Sequence, residues 1–272
     1  MLLNEGEAGW HMAQQPVEPA FVRSFQTVTI GGMPIAVLSI AETASFMIKV
    51  VRERPRGHRP LFMTSANGEV IARYHEQPAV AALFDKADII HADGQPMVVM
   101  SRLFARHRLP ERVATTDLFD AVAAKAAETG ATFYLFGATE EENRRAVEVA
   151  QARHPNLRVV GRNHGYLQGD ELARKIAEID ALAPDILWLG LGVPREQAFC
   201  VAWSSHLRNV GIIKTSGGLF NFISGKNRRA PRWMQALSLE WAWRIWLEPR
   251  RLFWRYFSTN PKALLLMMKY SR

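Results

Sequence analysis

The feature that most constrains this chain is a regular beat of short apolar runs, each followed by a longer stretch in which apolar residues return every three or four positions. The runs are PLFMTS (60–65), ADIIHAD (87–93), TFYLFGA (132–138), LRVVG (157–161), DILWLGLG (185–192) and VGIIKTS (210–216). Runs this short, apolar on both faces, read as buried strands. The stretches between them predict helices over about 68–86, 115–128, 139–153, 170–182 and 195–207. Strands alternating with amphipathic helices predict an α/β fold, Rossmann-like, with a mostly parallel sheet and helices on both faces. Ahead of the beat, FQTVTIGGMPIAVLSI reads as two strands around Gly31-Gly32, a hairpin signal. Ser39 and Glu42 form an S-x-x-E capping box that opens a helix to about Val51.

The pattern breaks after Gly225. GKNRRAPRWMQALSLEWAWRIWLEPRRLFWRYFSTNPKALLLMMKYSR holds no strand-like run, and Pro231, Pro249 and Pro261 divide it into three helical pieces. The expected organisation is therefore a mobile leader over 1–20, an α/β domain over 21–225 and a helical cationic C-terminal appendage over 226–272. Charge separates the same parts. The net charge is +8, yet residues 226–272 carry eleven Lys/Arg against Glu240 and Glu248, leaving the first 225 residues at −1. Five of the eight Trp (233, 241, 243, 246 and 254) also fall in the appendage. Cations interleaved with indoles suit an anionic membrane surface. Nucleic acid is the rival partner for such charges, and a non-catalytic basic binding protein is the rival class. No stretch reaches the roughly 18 consecutive apolar residues that a spanning helix needs. The one cysteine, Cys200, allows no internal disulfide and suits a reducing compartment.

In a parallel sheet, ligands bind beyond the carboxyl ends of the strands, which draws attention to the turns that follow them. Asp93, before Gly94, ends an apolar strand and faces the expected cleft, where a carboxylate can take a proton from an attacking hydroxyl. A turn aspartate bonding its own backbone is the equally simple reading. Ser65 and Asn67 end the preceding strand and either hold a sugar or cap the next helix. Thr64 points the other way by period-two alternation. Gly137 ends a third strand. Gly190 and Gly192 in GLGVPREQ, and Gly217 and Gly218 in TSGGLFNF, would let a diphosphate approach backbone N–H groups, although an isolated G-x-G is a weak signal and tight strand–helix turns look the same. Arg251 and Arg255 lie one helical turn apart in the appendage. No D-x-D, H-E-x-x-H or cysteine pair gives metal-ligand spacing, so neither a metal nor a cofactor is expected.

Taken in order, TSAN, ADIIHADGQPMV, LPERVATTDL, FYLFGATEEE, HGYL, PDILWLGLGVPREQ, TSGGLFNFISG, RRAP and LEWAWRIWLEPRRL resemble the WecG/TagA/CpsF family of bacterial glycosyltransferases from about Ile35 to Arg255. The resemblance implies an inverting, metal-independent hexosyltransferase of the glucosyl or N-acetylmannosaminyl type. It would move sugar from a UDP-sugar to a polyprenyl-diphosphate-linked saccharide, in surface or exopolysaccharide assembly at the cytoplasmic face of the bacterial inner membrane. The family's base aspartate matches Asp93 and its T-x-N matches Ser65 and Asn67. Asp117, Pro194, Arg195, Gln197, Arg244 and Arg251 fall at further family positions. Three departures stand out. P-K/R-Q-E becomes Pro194-Arg195-Glu196-Gln197, G-G-x-F-D ends in Asn221, and R-V-T-G-x-D becomes Arg112-Val113-Ala114-Thr115-Thr116-Asp117. The implied partners are the sugar donor, the lipid-linked acceptor and the membrane, not nucleic acid; whether the chain forms a homo-oligomer stays open.

Overall fold

The computed structural model describes residues 25–231, 233–234, 239–247 and 249–272; the leader expected over 1–20 lies outside them. A two-stranded antiparallel hairpin comes first, β1 (Thr27–Ile30) and β2 (Met33–Ala36). Gly31 and Gly32 close it with φ of 57° and 83°, the left-handed values a two-residue turn needs and glycine supplies without strain. Helix α1 (Ile40–Glu53) starts at the expected capping box: Ser39 Oγ accepts from Glu42 N–H at 3.2 Å, and Glu42 Oε2 accepts from Ser39 N–H at 2.8 Å.

The alternation then runs β3 (Leu61–Ala66), α2 (Gly68–Glu76), α3 (Pro78–Phe84), β4 (Ile89–Ala92), α4 (Gln95–Phe104), α5 (Thr115–Thr129), β5 (Thr132–Gly137), α6 (Glu140–Arg153), β6 (Arg158–Asn163), α7 (Gly169–Leu182), β7 (Ile186–Gly190), α8 (Arg195–Trp203), β8 (Ile212–Thr215) and α9 (Leu219–Ile223). The six strands β3 to β8 form one fully parallel sheet in the order β4-β3-β8-β7-β5-β6. Side chains alternate across it. Met63, Leu135, Trp188 and Ile212 pack under α1 and α5, whereas Phe62, Phe136, Leu187 and Ile213 pack under α7 and α8. Both faces are therefore dry, as the doubly apolar runs require. A third core joins the hairpin to α2, α3 and α4.

Three expectations need correcting. The single helix over 68–86 is two helices, because the pyrrolidine of Pro78 disfavours helical backbone at Gln77, whose φ and ψ are −126° and 92°. Helix α4 was not expected at all; Pro96 in its first turn looks like a breaker but suits a helix start. Among the described residues the appendage holds α10 (Glu240–Leu247) and α11 (Pro249–Tyr270), and α11 continues through Pro261 instead of ending there. An interior proline costs a helix about 3 kcal/mol, so packing must offset it.

That packing is at the end of α11. Ala263 and Met267 are buried against α2 and the hairpin. Tyr270 stacks on His75 at 4.7 Å, and its carbonyl accepts from Gly32 N–H at 2.9 Å. Arg272 N–H reaches Thr29 O at 3.0 Å. Met267→Ala should remove a buried side chain worth about 2 kcal/mol or more. Amide hydrogen exchange in 259–272 should then accelerate at least tenfold, while amides of β7 keep their protection; equal loss in both would show that α11 unfolds only with the whole molecule.

Candidate active site

The carboxyl ends of β4, β3, β8 and β7 lie side by side along the sheet. In the parallel register Ser65 pairs with His91 and Met63 pairs with Lys214. Ser65, His91 and Lys214 therefore share the face that α1 and α5 cover, and Asp93 follows two residues after His91 on the same side. Asp93 sits just past β4, its N–H held by Ala66 O at 2.8 Å. Its Oδ2 accepts from Thr115 Oγ1 at 3.1 Å, at the first position of α5. The residue is half-buried, part of its surface exposed while protein encloses the rest. That enclosure pushes its carboxyl up to about 6; Lys214, then Arg112, then the Thr115 hydroxyl hold it down against burial, and Glu240 adds to the rise.

Lys214 is fully buried. Its Nζ donates to Ser65 Oγ and to Thr215 O, both at 2.9 Å. Burial lowers it to about 8, opposed by the charges of Asp93, Glu196 and Cys200 in that order. A lysine within VGIIKTS looks like an ordinary strand residue in sequence. Its role depends on β8 pairing with β3, and Ser65 is 149 residues away. Thr115 was missed for a similar reason: a threonine at a helix start usually caps its own helix.

The glycine turns do not wait empty for a diphosphate. The Glu196 carboxylate accepts from Gly192 N–H at 3.2 Å and Gly217 N–H at 3.0 Å, with the Leu191 N–H also contributing. Glu196 is buried, and burial raises its carboxyl. The anion-binding nest is thus filled from within by the residue that departs from the family pattern. A diphosphate placed on the same N–H groups would meet a like charge. Gly218 stays exposed at the start of α9.

The remaining expected residues divide between interior and rim. Thr64 and Gln197 are fully buried. Gln197 Nε2 donates to Thr64 Oγ1 at 3.0 Å, and Thr215 Oγ1 donates to it at 2.7 Å. They brace β3 to α8 rather than line the cleft, which corrects the expectation of direct substrate contact. Gly137 and Gly190 are close-approach glycines. A Cβ on Gly137 (φ 145°) would lie 2.2 Å from Gly190 O, and one on Gly190 would meet the Phe220 ring at 2.9 Å. Asn67 caps α2, accepting from Val70 N–H at 3.1 Å, and Gly94 caps α4 beside it. Pro194 precedes α8, and Arg195 begins it exposed. Asp117 pairs with Arg229, Oδ2 to Nη2 at 3.1 Å, so its carboxylate serves a contact from the appendage.

A second such contact is the ion pair of Arg112 with Glu240 at the start of α10. Arg112 also bears on Asp93, so the appendage reaches the charge environment of the site. Arg244, Arg251 and Arg255 lie along α10 and α11, their side chains outside the described residues. Trp233 and Trp246 are 61% and 72% exposed. Among the described residues no cluster of His, Cys, Asp and Glu has the makings of a metal site, and no helix is long and apolar enough to cross a membrane.

Residues 28–272 match the family described as glycosyl transferase, WecG/TagA/CpsF family. A Bacillus subtilis (strain 168) protein is 31% identical over 210 residues, 74% of this chain and 80% of its own length. Another, from Bacillus spizizenii (strain ATCC 23059 / NRRL B-14472 / W23), is 28% identical over 233 residues, 85% and 88% of the two chains. Both are named N-acetylglucosaminyldiphosphoundecaprenol N-acetyl-beta-D-mannosaminyltransferase.

Removing Glu196 should test the filled nest. Glu196→Ala leaves buried N–H groups unpaired and Lys214 short of a countercharge, a loss of roughly 3–5 kcal/mol. Urea unfolding should show the midpoint falling accordingly, with Glu196→Gln in between. An unchanged midpoint for Glu196→Ala would mean that water replaces the carboxylate without cost.

Proposed function

The chain belongs to the WecG/TagA/CpsF family of glycosyl transferases, and from that premise we propose that it transfers a sugar of the N-acetylmannosaminyl or glucosyl type from a UDP-sugar to a polyprenyl-diphosphate-linked saccharide. The relatives' names support the acceptor class. The observation that carries the reading is Asp93: a partly exposed carboxylate at the carboxyl edge of a parallel sheet, raised to about 6. A base so tuned is ionised at neutral pH yet keeps appreciable proton affinity.

In the proposed reaction Asp93 takes the proton of the acceptor sugar's hydroxyl. The freed oxygen pair bonds to the anomeric carbon as the bond from that carbon to the β-phosphate oxygen breaks. UDP leaves with that electron pair, and the configuration at carbon inverts. Ser65, beside Asp93, offers its hydroxyl to the reacting sugars. Because Glu196 occupies the glycine nest, the countercharge for the leaving diphosphate falls to the appendage arginines Arg244, Arg251 and Arg255, with Gly218 and Arg195 at the rim. Guanidinium groups supply that countercharge without a metal, and metal independence is part of the proposal on that ground.

The acceptor's lipid tail requires a membrane surface. Support comes from apolar side chains that the fold leaves outside: Leu103 (65% exposed) and Phe104 on α4, and Leu265 (65% exposed), Leu264 and Met268 on α11. Neither 95–110 nor 249–272 contains an acidic residue. Exposed aliphatic side chains set among cations fit an anionic leaflet. The proposed location is accordingly the cytoplasmic face of the bacterial inner membrane, with 226–272 as the principal attachment.

Asp93→Asn should lose roughly 10²–10⁴-fold in turnover and remain folded by circular dichroism, measured as UDP release with a short-chain lipid-diphosphate sugar as acceptor. Wild-type kcat/KM should fall as pH drops through about 6, since protonation removes the base. Near-normal turnover in Asp93→Asn would remove Asp93 from this role. The double variant Leu103→Glu with Leu265→Glu should reduce sedimentation with anionic vesicles severalfold at unchanged stability; full retention would contradict the docking face.

A further inference from the structure

We propose that Lys214 is a positioning residue for the transfer reaction, holding Asp93 in its ionised form and turning the Ser65 hydroxyl outward as a hydrogen-bond donor. The inference rests on the reading of Asp93 as base and adds a residue that never meets the substrate. Lys214 has no exposed surface, so any effect it has on the reaction passes through its neighbours.

The geometry carries both halves of the role. The ammonium donates to Ser65 Oγ at 2.9 Å and so occupies a lone pair of that oxygen. Among the described residues the proton of Ser65 has no protein acceptor, which leaves it to point into the cleft. A second donation, to Thr215 O at 2.9 Å, fixes the ammonium at the carboxyl end of β8. Its charge bears electrostatically on Asp93, at the end of the next strand but one, and on Glu196 of α8. Glu196 is tied to the Gly192 and Gly217 turns, so the position of the cation is set from two sides. The other groups that bear on Asp93 are Arg112 before α5, Thr115 on α5, Glu240 on α10 and Arg229 ahead of α10. Cys200 on α8 is the other group facing Lys214. His91, register partner of Ser65, is fully buried; burial and then the nearby Lys214 lower it to about 3, against an opposing contact with the Thr64 backbone. It stays neutral across the working range, leaving Lys214 as the ionised cation on this face of the strands.

A buried cation can also be only structural, so the test needs a readout that packing would not move. Two variants separate charge from hydrogen bonding. Lys214→Gln keeps a donor for Ser65 without charge, and Lys214→Met keeps neither. The carboxyl of Asp93 would be followed by ¹³C NMR of aspartate-labelled, ligand-free protein, assigned by its absence in Asp93→Asn. The midpoint should rise by roughly one pH unit or more in both variants, and the acid limb of kcat/KM should shift with it. Above the shifted limb, Lys214→Gln should recover more turnover than Lys214→Met. Ser65→Ala should then cost less in the Lys214→Met background than in wild type. An unmoved midpoint in a folded variant overturns the proposal. If neither variant folds, wild-type protein decides: the Asp93 resonance should show a second inflection near pH 8 as Lys214 loses its proton, and a single-step titration overturns it. Because the titration needs no turnover, it remains readable even if Asp93 proves not to be the base.

Discussion

An ammonium group taken out of water loses several kcal/mol of hydration unless other charges and dipoles replace the solvent. Lys214 is in that position at the carboxyl edge of β8, and the replacement comes from Ser65, the Thr215 carbonyl and the carboxylates of Asp93 and Glu196. Those groups lie on β3, on β8 itself, just past β4 and on α8. Satisfying one cation therefore depends on β3, β4 and β8 ending side by side, with α8 packed at the same edge. The sheet order, with β8 between β3 and β7, is what brings them together. Glu196 completes the arrangement by closing the two glycine turns around the same charge.

The appendage is part of this electrostatic arrangement as well as an extension of the chain. Glu240 engages Arg112 and Arg229 engages Asp117, so the segment that follows the sheet touches the loop and helix that present Thr115 to Asp93. At its far end, α11 is fastened to the hairpin and α2 through Tyr270, Ala263 and Met267. Between these two attachments lie the arginines proposed to meet a diphosphate. A lipid-linked acceptor that engages them would bring its sugar toward Asp93, which couples the proposed membrane contact to the proposed chemistry.

Much of the fold was legible because its signals are local. Six apolar runs became six strands, the Gly31-Gly32 turn became a hairpin, and Ser39 with Glu42 became a capping box. Prolines misled in both directions. Pro78 split a helix that periodicity joined, Pro96 hid a helix start, and Pro261 failed to stop α11 because distant packing holds its last turns. Around the proposed site, the positions of Ser65, Asn67 and Asp93 at the ends of β3 and β4 were legible. Lys214 was not, since its partner Ser65 lies 149 residues away. Nor was the burial of Thr64 and Gln197, which depends on α8 packing against β3. The exchange of Glu and Gln at 196 and 197 was visible as a departure from the family pattern, but its effect, a carboxylate filling the anion nest, needed the turns in three dimensions.

The central claim is that this edge performs sugar transfer at a single displacement from a nucleotide-activated donor. The most direct measurement is the structure of the product, by mass spectrometry and NMR, after incubation with UDP-N-acetylmannosamine or UDP-glucose and a short-chain lipid-diphosphate N-acetylglucosamine. The account predicts a new disaccharide on the lipid, one UDP released per sugar moved, and an anomeric configuration opposite to that of the donor. A retained configuration, or UDP released without sugar reaching the lipid across both donors, would contradict it.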